Sequence, residues 1–232
     1  MTVLITGASK GIGKSIATKF AAEGYDLLLC ARNEDGLKKL ASELIAAHPI
    51  KVNFFSADLA IKESCKKLGQ WIKEGKFIID ILINNCGQFI PGSIYNEPDL
   101  ILEKMMGANL YSAYHLTREI LPEMIEKKSG HIFNICSIAS LKAYPNGGSY
   151  SISKFAMAGF SKNLREEMKA FNIKVTTVYP GAVFTDSWEG SGVERNRIMD
   201  TSDISNMIFT ASQLSPQTCI EEIILRPQLG DL

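Results

Sequence analysis

Val3-Leu4-Ile5-Thr6-Gly7-Ala8-Ser9-Lys10-Gly11-Ile12-Gly13 is the stretch that decides the fold class. An aliphatic, β-branched run leads into a turn holding three glycines, and beyond it Ile12, Ile16 and Phe20 recur at steps of four. That spacing gives the following helix one apolar stripe. Strand, glycine-rich turn and helix N-terminus together present backbone N–H groups and the positive end of a helix dipole to an anion. Glycine is needed because a Cβ would hold the backbone away from a phosphate. A tight turn that binds nothing has the same local form. Three glycines behind a Thr, at the first turn of an α/β chain, favour a phosphate or dinucleotide site.

Outward from this turn, short apolar runs alternate with helical periodicity, as in a parallel sheet flanked by helices. Strands are expected over residues 3–6, 26–31, 52–56, 78–83, 131–135, 175–179 and 223–226. Between them, Leu37, Leu40 and Leu44 mark a second apolar stripe, and Gly24 and Pro49 stand where the first two helices should end. Leu27-Leu28-Leu29-Cys30-Ala31 reads as a strand buried on both faces. The expectation is a Rossmann-like, doubly wound parallel α/β sheet of about seven strands, in a single domain over residues 1–232. Residues 188–203 are rich in Gly and charge, with too little chain after them for a second core. They read as a mobile loop over the site, within a substrate-loop region of about 186–205.

Composition narrows the function classes. The 25 Lys+Arg balance 25 Asp+Glu, so there is no general attraction to nucleic acid or anionic lipid. No apolar run exceeds the five residues from Leu27 to Ala31, against roughly 18 for a membrane span, and the start MTVLITGA is unlike a secretion signal. A cytoplasmic protein is expected. Five cysteines without a C-x-x-C pair fit neither a disulfide framework nor a zinc site. His48, His115 and His131 are scattered, and no metal is expected.

Of two familiar phosphate-loop patterns, one fails and the other, a P-loop nucleoside triphosphatase, is a remote alternative. The fingerprint G-x-G-x-x-G would place its third glycine at Ile16. Gly13-Lys14-Ser15 resembles the end of a nucleoside-triphosphatase loop, but that motif's first glycine falls on Ala8. Its magnesium ligand, Asp80, would begin the apolar run Ile81-Leu82-Ile83, whereas a ligand at the carboxyl edge should end one.

Spaced as T-G-x-x-x-G-x-G, Thr6, Gly7, Gly11 and Gly13 resemble the short-chain dehydrogenase/reductase family. Further motifs fall in that family's order. Asn84-Asn85-Cys86-Gly87 is similar to its N-N-A-G turn. Asn109 follows in a helix and Ser137 closes the fifth strand. Tyr150-Ser151-Ile152-Ser153-Lys154 matches Y-x-x-x-K, thirteen residues after Ser137, and Pro180-Gly181 with Thr185 follows the sixth strand. The resemblance runs from Val3 to about Arg226. Taken singly, Asn109 could cap or kink its helix, Ser140 could stand in for Ser137, and Pro180-Gly181 could be only a turn.

The resemblance implies an NADP(H)-dependent oxidoreductase interconverting a carbonyl and an alcohol. Tyr150 would give the proton, Ser137 polarise the carbonyl, Lys154 lower the phenol's pKa and bind ribose, and Asn109 support a water relay. The implied cofactor set is Gly7, Ser9, Lys10, Gly11, Ile12, Gly13, Arg32, Asp58, Leu59, Asn85, Gly87, Tyr150, Lys154, Pro180, Gly181, Val183 and Thr185. Tyr150 and Lys154, four apart on a helix, share a face. An ammonium roughly 6 Å from the phenol, at an effective dielectric of about 20, favours phenolate by about 3 kcal/mol, or about two pKa units. Ala31 stands where NAD-specific members carry Asp, and Arg32 beside it, with Lys10, suits a 2′-phosphate. Phe89, Ile90, Ala143, Tyr144 and the loop around Trp188 suggest an apolar pocket for a small-molecule substrate, and a homodimer or homotetramer is expected. The alternative is a non-catalytic NADP(H)-binding sensor, which Phe at position 150 would have favoured; the residue is Tyr150. Two departures are Cys86 in place of Ala and a C-terminus without D-G-G, which speaks against an oxoacyl-carrier-protein reductase.

Overall fold

The computed structural model describes residues 1–185, 188 and 192–231. Seven parallel strands form one sheet in the order β3-β2-β1-β4-β5-β6-β7. They are β1 (Thr2–Thr6), β2 (Asp26–Ala31), β3 (Val52–Ser56), β4 (Ile81–Asn84), β5 (Gly130–Ile135), β6 (Ile173–Pro180) and β7 (Glu222–Leu225). The helices are α1 (Gly11–Ala22), α2 (Glu34–Ala47), α3 (Lys62–Glu74), α4 (Ile101–Met106), α5 (Ser112–Lys127), α6 (Gly148–Met168) and α7 (Thr201–Ser212). A π turn, Gly107–Tyr111, joins α4 to α5.

The alternation of side chains along each strand explains why the strands read as unbroken apolar runs. Val3, Ile5, Leu27 and Leu29 face one core with Ile16, Phe20, Leu40 and Ile204 from α1, α2 and α7. Leu4, Leu28 and Cys30 face the other with Leu68, Leu116 and Leu164 from α3, α5 and α6. Both faces are covered, so period-two patterning vanishes from the sequence. Because β1 pairs with β2 on one side and with β4 on the other, the connections reverse direction between β1 and β4. At such a reversal open α/β sheets hold ligands at the carboxyl edge.

Strand ends shift by one to three residues from the sequence reading, and three departures bear on the site. The fourth strand begins at Ile81, not residue 78: Ile78 is 56% exposed, and Asp80 takes the Thr2 N–H at 2.8 Å and the Lys127 ammonium at 3.0 Å. Asp80 therefore ties down the amino edge, opposite the glycine-rich turn, where no ion bound at that turn could reach it. Helix α1 starts at Gly11, so Gly13 lies inside its first turn. The mobile loop expected over 186–205 falls partly outside the described residues. Of the described part, Arg195–Arg197 form a 3₁₀ turn, Met199 bridges Val183, and α7 starts at Thr201 behind an Asp200–Asp203 capping box.

Candidate active site

Four turns meet at the carboxyl edge. The Thr6 hydroxyl donates to the Ile83 carbonyl at 3.2 Å and accepts the Asn85 and Cys86 N–H groups at 2.9 and 3.0 Å. The Asn85 amide donates to the Thr6 and Gly7 carbonyls at 3.0 and 3.2 Å. Its side chain thus shapes the glycine-rich turn. Gly7 and Gly11 have φ of +63° and +53°, which side chains other than glycine rarely adopt. A Cβ on Gly13 would collide with the Gly7 carbonyl, and one on Gly11 would sit 3.3 Å from Thr185.

This turn fits the pyrophosphate of a dinucleotide. No described side chain caps the first turn of α1, and that turn contains no acidic residue of its own. Ser9 lies against Gly36 at the start of α2, and Arg32 is exposed at the end of β2. Gly87 is exposed beside Lys154, and Ile12 is partly buried against the core under α1, α2 and α7. Asp58 takes the Ala60 N–H at 3.0 Å, and Leu59 is buried in the core under α3, α5 and α6. Pro180 ends β6. Gly181 donates to the Leu225 carbonyl at 2.7 Å, and Val183 and Thr185 follow toward the glycine-rich turn.

The candidate reacting residues come from β5, the π turn and α6. Ser137, just after β5, accepts the Ala139 N–H at 3.1 Å and stands close enough to the Tyr150 phenol to act on its pKa. Ser140 is buried with no hydrogen-bond partner among the described residues, so Ser137 is the hydroxyl that meets Tyr150. Lys154 is only 6% exposed. Its ammonium donates to the Ile135 carbonyl at 3.0 Å and sits 5.9 Å from the Tyr150 ring centroid. Asn109 lies within the π turn, a geometry frequent at functional sites. Its carbonyl oxygen accepts the Gln88 N–H at 2.7 Å, and its amide donates to the Gln88 carbonyl at 3.1 Å and the Ser153 hydroxyl at 2.8 Å. Ser153 in turn donates to the Tyr150 carbonyl at 2.7 Å. Sequence reasoning missed Ser153, although it lies within Tyr150–Lys154, and the buried chain Asn84, Asn134, Ser161 and Thr177 beneath the site.

The expected electrostatics need one correction. Lys154 stands about where the sequence reading put it, yet the Tyr150 phenol is pushed above its ordinary pKa. Burial raises it more than the neighbouring Ser137 hydroxyl lowers it. Burial also pushes the Lys154 ammonium below its ordinary pKa. Desolvation is the largest influence on both groups. Phe89, 52% exposed, packs edge-on to Tyr150 at 4.8 Å between ring centroids, and Tyr144 is exposed nearby, so aromatic surface borders the phenol.

A family model described as short chain dehydrogenase matches residues 1–195. The chain belongs to the short-chain dehydrogenase family. The sepiapterin reductase of Chlorobaculum tepidum is 33% identical over 238 residues, covering 99% of this chain and 97% of that protein. Among solved structures of this family, an alcohol dehydrogenase from Thermococcus sibiricus complexed with 5-hydroxy-NADP superposes with a TM-score of 0.90 at 25% identity, over 98% of this chain and 96% of the other. The L-sorbose reductase of Gluconobacter frateurii, complexed with NADPH and L-sorbose, gives 0.89 at 25% identity over 97% and 94%. The chain is an oxidoreductase of the short-chain dehydrogenase type, and no helix among its described residues is long and apolar enough to cross a membrane.

Proposed function

We propose that this short-chain dehydrogenase is an NADP(H)-dependent carbonyl reductase/alcohol dehydrogenase with Tyr150 as general acid and base. One observation carries the reading: the Lys154 ammonium, 5.9 Å from the Tyr150 ring centroid, and the Ser137 hydroxyl beside the phenol gather at the carboxyl edge of the sheet, the edge that also holds the glycine-rich loop. NADP(H) is favoured by the complexes of the similar structures and by Arg32 following Ala31. Bound NADPH would supply the hydride.

The remaining work falls to the chain. Burial holds Tyr150 in its protonated form, the form from which an acid donates to a carbonyl oxygen. Ser137 offers a second hydrogen bond to the same oxygen, where negative charge develops. Lys154, anchored on the Ile135 carbonyl, places a positive charge over the ring and is positioned to hold ribose hydroxyls. Asn109 fixes the Gln88 backbone and, through Ser153, the Tyr150 carbonyl. It is read as the support for a water relay that reprotonates the phenol. The substrate is a small-molecule carbonyl bordered by Phe89 and Tyr144.

Replacing Tyr150 by Phe keeps the ring and removes the proton. NADPH consumption with a panel containing sepiapterin, L-sorbose and simple aliphatic and aromatic ketones should fall by about 10²–10⁴-fold, with the NADPH dissociation constant unchanged. Near-wild-type turnover by that variant rules out Tyr150 as the acid.

A further inference from the structure

Helix α6 carries Tyr150, but its own N-cap, Gly147, has no side chain to bond the amides of the first turn. The cap comes from 52 residues away. Glu97 accepts the Ser149 N–H at 3.3 Å through one carboxylate oxygen and the Ser149 hydroxyl through the other. Ser149 is buried and adjoins Tyr150. A carboxylate at this end also meets the positive pole of the helix.

Glu97 closes a strap rather than making an isolated contact. The strap begins at Gln88, whose backbone is bonded twice by Asn109. Phe89 then packs on Tyr150. Gly92 donates to the Asn146 carbonyl at 3.1 Å, and Ser93 donates to the Asn146 side chain at 2.6 Å. The Asn96 and Glu97 N–H groups return to the Ser93 carbonyl at 3.0 and 2.9 Å, turning Glu97 toward α6. The fit is close: a Cβ on Gly148, which has φ of +33°, would collide with the Gly92 carbonyl and approach the Glu97 carboxylate to 2.9 Å. Farther along, α6 is held without Glu97, by Ser151 on the Ala139 carbonyl at 2.9 Å and Lys154 on the Ile135 carbonyl.

From this we infer that Glu97 is a positioning residue: by capping the first turn of α6 it fixes the distance between the Tyr150 phenol and the aromatic wall that Phe89 presents to the substrate. The inference rests on Tyr150 being the acid of the proposed reaction. Loss of the cap leaves the helix and the glycine-rich turn in place but frees the strap and the first turn, and small misplacements of a reacting group cost up to about a hundredfold in rate.

The test uses the full-length chain with Glu97→Ala, Glu97→Gln and Ser149→Ala. Glu97→Ala should lower kcat about ten- to a hundredfold with the NADPH dissociation constant within about twofold of wild type. Glu97→Gln, whose amide oxygen still accepts one bond from Ser149, should recover kcat to within about threefold. Joining Glu97→Ala with Ser149→Ala should cost no more than the larger single loss, because both remove one interaction. Amide hydrogen exchange over residues 147–153, measured without cofactor or substrate, should accelerate at least about tenfold in Glu97→Ala and much less in Glu97→Gln. Exchange at the wild-type rate in Glu97→Ala overturns the capping role whatever the enzyme reduces. Accelerated exchange with unchanged kcat overturns the positioning role while leaving the proposed reaction standing. Equal loss of kcat and NADPH affinity without rescue by Gln marks a general structural defect and also overturns it. Should Glu97→Ala fail to fold, Glu97→Gln and Ser149→Ala still decide: both at wild-type kcat and exchange refute the inference. The proposed reaction is judged separately, by Tyr150→Phe.

Discussion

Replacing Arg32 by Ala should turn a discriminating cofactor site into an indifferent one. The Arg32 side chain is exposed, and the backbone around it is held by other groups: the Ser56 hydroxyl donates to its carbonyl at 3.1 Å, and Asn33 caps α2 by accepting the Gly36 N–H at 3.0 Å. Loss of the guanidinium therefore leaves the end of β2 intact. Two opposite unit charges about 4 Å apart attract by about 4 kcal/mol at an effective dielectric of 20. Exposure and the entropy of holding a long side chain reduce this to the about 1.5–3 kcal/mol of a charge-assisted hydrogen bond. At 1.4 kcal/mol per decade, Arg32→Ala should weaken NADPH about ten- to a hundredfold. NADH lacks the 2′-phosphate, and its affinity should stay within about twofold. Salt should narrow the wild-type difference, since the Debye length is about 8 Å at 0.15 M. Fluorescence titration of both nucleotides on wild type, Arg32→Ala and Ala31→Asp/Arg32→Ile provides the measurement, and the double variant should prefer NADH. Equal weakening of both nucleotides by Arg32→Ala, or of neither, would show that the phosphate is read elsewhere.

Asn109→Ala removes three hydrogen bonds in a buried setting and should lower unfolding free energy by about 2–4 kcal/mol as well as reduce turnover. A loss below about 1 kcal/mol in urea denaturation would mean that the π turn does not depend on it. His131, buried between Phe133 and the Thr176 hydroxyl, has its pKa pushed down to about 3 by burial. Its unfolded value is about 6.5. The unfolded chain takes the proton first, so the His131 contribution is complete above pH 6.5 and is lost as pH falls, by about 3 kcal/mol at pH 4. His131→Gln should flatten that slope in urea midpoints measured from pH 7 to 4, and an unchanged slope would assign it to other groups. Tyr111 and Tyr114 on the α4–α5 arm and Ile152 and Phe155 on α6 are exposed, and the chain should form a dimer or tetramer through these helices. Light scattering should find Phe155→Asp at lower mass than wild type at the same micromolar concentration, and a monomeric wild type refutes the assembly.

Much of this was legible in the linear chain because it is local. The run Val3 to Thr6, the glycines after it and the stripe Ile12, Ile16, Phe20 depend on neighbours a few residues away, and β1 and α1 form where that pattern places them. Tyr150 and Lys154 share a face because a helix turns every 3.6 residues. Ser137 and Pro180-Gly181 reach the site because each ends a strand, and parallel strands bring their carboxyl ends to one edge. What the tertiary structure decided depends on partners distant along the chain. Nothing in the sequence near Ile78 says that Asp80 will hold Thr2 and Lys127 and thereby delay β4, and nothing near Glu97 says that it caps a helix beginning at Gly148. Spacing gave the separation of Lys154 from Tyr150 but not the sign of the phenol's shift. That sign follows from desolvation, which depends on every atom packed around the pair once the sheet, the π turn and α6 have come together.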